Sequence, residues 1–194
     1  VSVPRQSDHF LVDAFLHLTE NDANALHPIS FPCAFQIKSD DEPILITGKK
    51  RIRQFGRGNI PLFVLAVLKE AERFTIYQTE LVRANAAFRS FNKVTLVPSI
   101  PPKKRLKKGN PFYLGKPIFE GKISNLSGIS KNEERDILFK CLNSWILLGV
   151  QNALWRIHGV PWFALPKQYM PRVPTSPDVF DYFVVRSRGE LENA

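Results

Sequence analysis

Residues 31–39 of the chain have the sequence FPCAFQIKS, and this short stretch decides how the surrounding chain folds. Its aromatic and β-branched residues predict a β-strand, in which successive side chains point to opposite faces. One face is then wholly apolar, whereas the other ends in Gln36 and Lys38. A lysine within an apolar strand is costly to bury unless it meets a charged group or a ligand. The stretch therefore predicts a sheet with one packed side and one side that carries chemistry.

Further strands are predicted on both sides of this stretch. Residues 61–68 (PLFVLAVL) and 73–78 (RFTIYQ) predict two strands, and the first is apolar on both faces, which is typical of the centre of a sheet. Residues 10–18 (FLVDAFLHL) predict a strand that places Asp13 and Phe15 on one face. Residues 43–47 (PILIT) predict a short additional strand.

Three segments predict helices. Residues 49–55 predict a short basic helix, and residues 79–91 predict a second helix. The apolar side expected for this second helix consists of Leu81, Val82, Ala84 and Phe88. The longest helix is expected over about residues 131–158, where apolar side chains recur at helical spacing.

These elements predict an α/β fold, with a mixed central sheet flanked by helices and an α-helical C-terminal extension. We expect a core in residues 1–97 and a basic, proline-rich loop in residues 98–111. The C-terminal part, residues 112–194, is expected to pack its long helix on that core.

Positive charge is concentrated in two windows of the sequence. The 194 residues include 27 Lys and Arg against 18 Asp and Glu, a formal net charge of +9, and the 44% hydrophobic content excludes a disordered tail. Ten of the basic residues fall in the two windows: Lys49, Lys50, Arg51, Arg53 and Arg57, then Lys103, Lys104, Arg105, Lys107 and Lys108. Clustered cations suit phosphate, because they release the counterions condensed on a nucleic acid. We therefore expect a nucleic-acid partner.

The remaining sequence features bear on location. Cys33 and Cys141 lie in apolar stretches without the spacing of a zinc site or a disulfide framework, so we expect buried thiols in a reducing cytoplasm. No apolar run approaches the roughly 20 residues of a membrane-spanning helix, so no membrane role is expected. The chain starts Val-Ser-Val-Pro, which suggests a piece of a larger parent protein.

Asp13, Gln36 and Lys38 are the strongest candidates for catalysis. If the strand of Asp13 adjoins that of Gln36, a carboxylate, an amide and an ammonium group converge on one face. Asp13 and the Gln36 carbonyl then supply the oxygen ligands that Mg²⁺, or Mn²⁺, prefers. Lys38 would orient water or stabilise charge on a phosphate. The trio predicts metal-dependent hydrolysis of a phosphodiester bond.

This arrangement resembles a known family. A strand with Asp13, a strand with Gln36-x-Lys38, a basic helix and an apolar strand follow one another as in the PD-(D/E)xK restriction-endonuclease-like nucleases. The Q-x-K form is similar to domains of bacterial antiphage and mobile-element proteins, and the resemblance covers roughly residues 1–80. It implies a restriction-endonuclease-like sheet and a Mg²⁺-dependent endonuclease acting on DNA rather than RNA. It also implies that Asp13 and Gln36 bind the metal and that Lys38 is the catalytic lysine.

Two alternatives stay open. Because Gln36 is a weaker metal ligand than a carboxylate, the chain can also be a non-catalytic nucleic-acid-binding or assembly module with the same fold. The other alternative is a domain whose basic arm binds an acidic protein. In that alternative the long helix forms the interface of a homo-oligomer.

Overall fold

The computed structural model describes residues 11–22, 25–28, 31–39, 42–99, 111–126 and 133–160. The second basic window lies outside these ranges, so the structure does not place Lys103, Lys104, Arg105, Lys107 or Lys108. Residues 161–194 of the predicted C-terminal part also lie outside them.

The described residues form ten strands and three α-helices. In chain order these are β1 (Ala14–Leu16), β2 (Thr19–Asp22), β3 (Ala25–Pro28), β4 (Cys33–Ser39), β5 (Ile44–Thr47), α1 (Lys49–Arg57), β6 (Leu62–Leu68), β7 (Arg73–Gln78), α2 (Glu80–Phe88), β8 (Lys93–Val97), β9 (Phe112–Tyr113), β10 (Phe119–Lys122) and α3 (Glu133–Ile157). The α/β class expected from the sequence is confirmed.

A mixed five-stranded sheet forms the centre of the molecule, in the order β1-β4-β6-β7-β10. β4 and β6 run parallel, and the other neighbours run antiparallel. Two parallel neighbours need a crossover connection, which β5 and α1 supply here. β6 is the middle strand, as its two apolar faces predicted. A hairpin of β2 and β3 and a second mixed sheet, β5-β8-β9, complete the strand pairing among the described residues.

Alternation along β4 separates two hydrophobic cores. Ala34 packs with buried residues of α1 and α2 on one side of the sheet. Cys33 and Phe35 pack on the other side with the buried residues of α3, including Trp145 and Ile146. Gln36 and Lys38 follow Ala34 at two-residue steps and therefore lie on the side of α1 and α2. The sheet thus brings the candidate residues to the side of the basic helix.

Five strands were not predicted, namely β2, β3, β8, β9 and β10, and the boundaries of two predicted elements differ from the observed ones. β8 was not predicted, because a run of five residues carries little periodicity, and its pairing with β5 and β9 stabilises it. Within the strand predicted for residues 10–18, only Ala14–Leu16 has strand pairing. α1 continues through Gly56 to Arg57 instead of ending before the glycine. A β-carbon at Gly56 would lie 2.5 Å from the main-chain nitrogen of Ala87, so glycine permits close packing of α1 on α2.

α3 is the longest helix and packs one side on the sheet through Cys141, Leu142 and Trp145. Ile137, Leu147 and Leu154 on its outer side are about half exposed. By length and composition α3 meets the requirements of a membrane-spanning helix, with a mean hydropathy of 1.3 in an 18-residue window. Of that window 39% is buried within the protein, and the core helix of a water-soluble domain has the same composition.

Candidate functional site

Asp13 lies directly before β1 and is adjacent to β4. Its main-chain N–H donates to the carbonyl of Phe35 at 2.8 Å. Its carboxylate oxygen Oδ2 accepts a hydrogen bond from Nε2 of Gln36 and a second one, at 2.6 Å, from the N–H of Ile37. The structure therefore brings Asp13 and Gln36 into contact across the strand pair, as the sequence predicted.

The local strand geometry explains this contact. β1 pairs with β4 only from Cys33 to Phe35, so β4 continues beyond the end of its neighbour. The N–H of Ile37 lies beyond the first residue of β1, where no main-chain carbonyl of that strand is opposite. The Asp13 carboxylate accepts its hydrogen bond instead. This hydrogen bond lies at an exposed edge and extends the pairing of β4 past its last residue pair with β1. One side chain thus has a structural contact as well as a candidate chemical role.

Lys38 is the next residue on the same face of β4 after Gln36. It is half-buried and lies opposite Ala66 of β6. Within the described part of the chain Lys38 forms no ion pair.

The donor set of this site fits a hard divalent cation. Asp13 and Gln36 offer a carboxylate and an amide carbonyl, and Mg²⁺ binds oxygen ligands. The amide now presents its NH₂ group to Asp13, and a half-turn of the amide presents its carbonyl instead. The described residues contain no group of three His, Cys, Asp or Glu side chains that could hold a metal. A site of one carboxylate and one amide resembles the usual Mg²⁺ arrangement, in which waters and substrate phosphates complete the shell.

The basic helix α1 forms an exposed cationic surface next to this face. All five of its Lys and Arg side chains are exposed, while Ile52, Phe55 and Gly56 attach it to the protein. Its first turn holds no acidic residue and two lysines, Lys49 and Lys50, at the end where the helix dipole is positive. This placement costs about 0.3–1 kcal/mol per charge unless an anion is near. The surface is therefore suited to phosphate.

A groove between α1 and α2 contains most of this charge. Lys49, Arg53 and Arg57 are spaced by four residues, so they form one stripe along α1. They line a cavity of about 260 Å³ together with Arg89 and Ser90, which follow α2. Arg89 was not among the predicted binding residues, because it is an isolated cation in the sequence. The structure adds it to the predicted basic surface.

A buried charged cluster was missed altogether by the sequence analysis. Glu80 and Arg83 of α2 and Arg156 of α3 are each at most 3% exposed. Glu80 accepts from Arg83 at 3.0 Å and from Arg156 at 2.6 Å. The apolar side predicted for α2 was therefore wrong in part: Val82 is buried, but Phe88 is 36% exposed and Glu80 and Arg83 point inward. The available signal was the Glu-x-x-Arg pair itself, which is also common on solvated helices.

Arg83 holds the connection between α1 and β6. Its guanidinium group donates to the carbonyls of Phe55 and Ile60, at 3.0 and 2.9 Å, and to that of Gly58. Burial lowers the pKa of the Arg83 guanidinium to about 10; the charge of Arg156 acts in the same direction and Glu80 opposes both. The cluster thus fixes the end of the basic helix relative to the sheet and α3.

The two cysteines have no role in the candidate chemistry. Cys33 is fully buried on the face of β4 opposite Lys38, and burial raises the pKa of its thiol from 9.0 to about 12. Cys141 is buried as well and its Sγ donates to the carbonyl of Ile118 at 3.3 Å. A thiol that stays protonated at neutral pH is a poor nucleophile.

Comparison of the chain with protein-family models, with curated proteins and with solved structures found no match in any of the three.

Proposed function

We propose that this chain is a metal-dependent nuclease domain with a restriction-endonuclease-like fold, cutting phosphodiester bonds in DNA rather than RNA. A cytoplasmic role in bacterial defence or on mobile elements agrees with the family resemblance. One observation carries the proposal. The Asp13 carboxylate contacts Gln36 across the strand pair, while a half-buried Lys38 without an ion-pair partner in the described residues follows on the same face.

The strand order supports this assignment. The strand that follows Asp13 runs antiparallel to β4, which carries Gln36 and Lys38, and a crossover containing α1 leads to the parallel strand β6. This is the order of elements on which the family resemblance rests. The side chains of the site come from the end of one strand and the middle of another, which is a rigid platform for catalysis.

Each residue then has a separate task. Bound Mg²⁺ or Mn²⁺ would polarise the phosphate and lower the pKa of an attacking water, and Asp13 and Gln36 would hold it. Lys38 donates hydrogen bonds to a phosphate oxygen and stabilises the negative charge that develops there. The exposed cations of α1 bind the neighbouring phosphates and fix the register of the strand.

The test is a cleavage assay on supercoiled plasmid, single-stranded DNA and RNA, with Mg²⁺, Mn²⁺ or EDTA. We expect cutting that requires the metal and that falls about 10²–10³-fold in Lys38→Ala, the range for the loss of one charge-stabilising donor. Lys93→Ala, an exposed lysine on β8, is the control. Absence of cutting by a folded protein that binds DNA would contradict the nuclease assignment.

A second candidate function is a non-catalytic nucleic-acid-binding module. It is favoured by the hydrogen bonds of Asp13, which satisfy Gln36 and Ile37 and give the carboxylate a structural purpose without any metal. Such a module would bind DNA equally in Mg²⁺ and in EDTA. It would lose affinity when Lys49 and Arg53 are changed and keep it in Lys38→Ala.

A further inference from the structure

A second cavity, of about 220 Å³, lies on the other side of α1 from the basic groove. It is bounded by the start of β1, by β4 and β5, by α1 and by the loop before β6. Phe15, Ala34 and Phe55 contribute to its apolar wall, together with Leu45, which is 53% exposed. Polar side chains also line it: Arg51, Gln54 and Asn59 are exposed, whereas Arg83 is buried. The cavity thus combines apolar walls with hydrogen-bonding groups at its opening and with the Arg83 guanidinium, which is bonded to main-chain carbonyls, in its interior.

This cavity adjoins the Asp13–Lys38 site. Val12 lines it, and Asp13 is the next residue. Ala34 also lines it and precedes Gln36 by two positions on the same face of β4, a distance of about 6–7 Å along a strand. Leu11 at the edge has a left-handed backbone with φ of 58°, an uncommon conformation for a leucine.

We propose that this cavity receives one unpaired nucleobase of the strand whose backbone lies on α1, an inference that rests on the proposed function. Its volume is below the roughly 300–1,000 Å³ of ordinary ligand pockets, so it suits one ring system rather than a whole nucleotide. Aromatic and aliphatic walls bind the faces of a base, and polar groups read its edge. Gln54 and Asn59 supply both donors and acceptors for that edge.

In this proposal the two sides of α1 bind different parts of the nucleic acid, one side the phosphates and the other side a base. Arg51 belongs to the base cavity, whereas Arg53 belongs to the groove of four cations on the other side. Both arginines are exposed and both belong to the same helix. A strand that crosses α1 therefore meets phosphate-binding charge on one side and a base-sized recess on the other. The pair also provides a matched control.

The experiment compares two single-stranded DNA oligonucleotides of equal length, one complete and one with abasic sites at its centre, by fluorescence anisotropy in EDTA. We expect the protein to prefer the complete strand by about tenfold, the scale of one stacked base. Leu45→Ser should abolish most of this preference, and Leu147→Ser, equally exposed on α3, should leave it unchanged. Arg51→Gln should reduce the preference, whereas Arg53→Gln should weaken binding of both strands alike.

The possible results separate this proposal from the nuclease proposal. Equal affinity for the two strands, a preference unaffected by Leu45→Ser, or no binding to either strand would overturn the base cavity. Because the assay contains EDTA, a base preference without any metal-dependent cutting would support the cavity and contradict only the nuclease function. Metal-dependent cutting without a preference for the complete strand would support the nuclease function and contradict the base cavity.

Discussion

Two clusters of charged and polar side chains in this protein have opposite surroundings. Glu80, Arg83 and Arg156 are buried, and the carboxylate contacts both guanidinium groups. In the other cluster Asp13 and Gln36 contact each other at a strand end, while Lys38 is half-buried with no ion-pair partner in the described part of the chain. In the first cluster the charged groups are partnered within the protein, and Arg83 also lines the cavity beside α1. In the second, the proposed function gives the Lys38 ammonium group a phosphate of the substrate as its partner.

Under the proposed function, the buried charges serve the architecture and the charges at the strand end serve chemistry. A buried charge must be compensated within the protein, because leaving it uncompensated is strongly destabilising. A half-exposed charge without a partner destabilises the free protein little, because water still solvates it. Its electrostatic interaction energy becomes most favourable when an anion binds. The predictions below test this division.

The largest effect is expected for Glu80→Gln. This substitution leaves Arg83 and Arg156 buried without their shared carboxylate, so the free energy of unfolding should fall by about 3–5 kcal/mol. Urea denaturation followed by circular dichroism measures it. Glu120→Gln is the control, because Glu120 and Arg73 form an exposed pair at 3.7 Å that should contribute at most about 1 kcal/mol. Similar losses in the two variants would show that the buried cluster is not structural.

The next prediction concerns Cys33, on the face of β4 that packs against α3. Because burial raises the pKa of Cys33 to about 12, the folded state keeps the proton that the unfolded state loses near pH 9. The free energy of unfolding should therefore decrease as the pH rises from about 9 towards 12, by about 1 kcal/mol or more. Arg83, whose pKa is lowered, acts in the opposite direction above about pH 10. The difference between the protein and Cys33→Ala, measured at each pH, isolates the thiol; a constant difference would refute a buried, protonated Cys33.

A smaller effect is expected for Gln36→Glu in the open cluster. Two adjacent carboxylates repel each other in EDTA, but they bind Mg²⁺ more tightly than one carboxylate and one amide. Thermal unfolding in EDTA and in millimolar Mg²⁺ should show a larger stabilisation by the metal in the variant, corresponding to about tenfold tighter binding. Equal destabilisation with and without Mg²⁺ would mean that the Asp13–Gln36 contact is only structural.

The smallest effect on the stability of the protein is expected for substitutions in the basic stripe of α1. Replacing Lys49, Arg53 and Arg57 by Gln should change the free energy of unfolding by at most about 1 kcal/mol, because the losses of Lys49 from the first turn of α1 and of Arg57 from its last turn act in opposite directions. The same replacement should make duplex-DNA binding less salt-dependent. The slope of log K against log salt should shrink by about 0.9 for each lost phosphate contact. A triple control changes three exposed lysines elsewhere: Lys69, Lys122 and Lys140. An equal change of slope in the control would remove α1 from the binding surface.

The sequence predicted four strands of the central sheet, β1, β4, β6 and β7, because two-residue periodicity and apolar runs mark them, but not the edge strand β10. The meeting of Asp13 with Gln36 depended on the condition that their strands adjoin, which the structure meets. β8 was not predicted, since its stability comes from pairing with β5 rather than from its own five residues. The buried cluster was not predicted either, because Glu80 and Arg156 are 76 positions apart and only the packing of α3 on α2 unites them. Similarly, the cavity beside α1 is lined by residues of six separate elements, β1, β4, β5, α1, β6 and α2, that no local pattern connects.

Asp13 combines the two roles that the comparison separates. Its carboxylate accepts a hydrogen bond from the main chain of β4, which is a structural role, and it is also the proposed metal ligand. The most direct test therefore measures unfolding and metal-dependent DNA cleavage in parallel for Asp13→Asn. We predict a loss of about 1–2 kcal/mol in the free energy of unfolding, the scale of one hydrogen bond to a charged group, so that the variant stays folded. Cleavage should fall at least 10²-fold. Cleavage that decreases only in proportion to the folded fraction would contradict a catalytic site at Asp13 and Lys38.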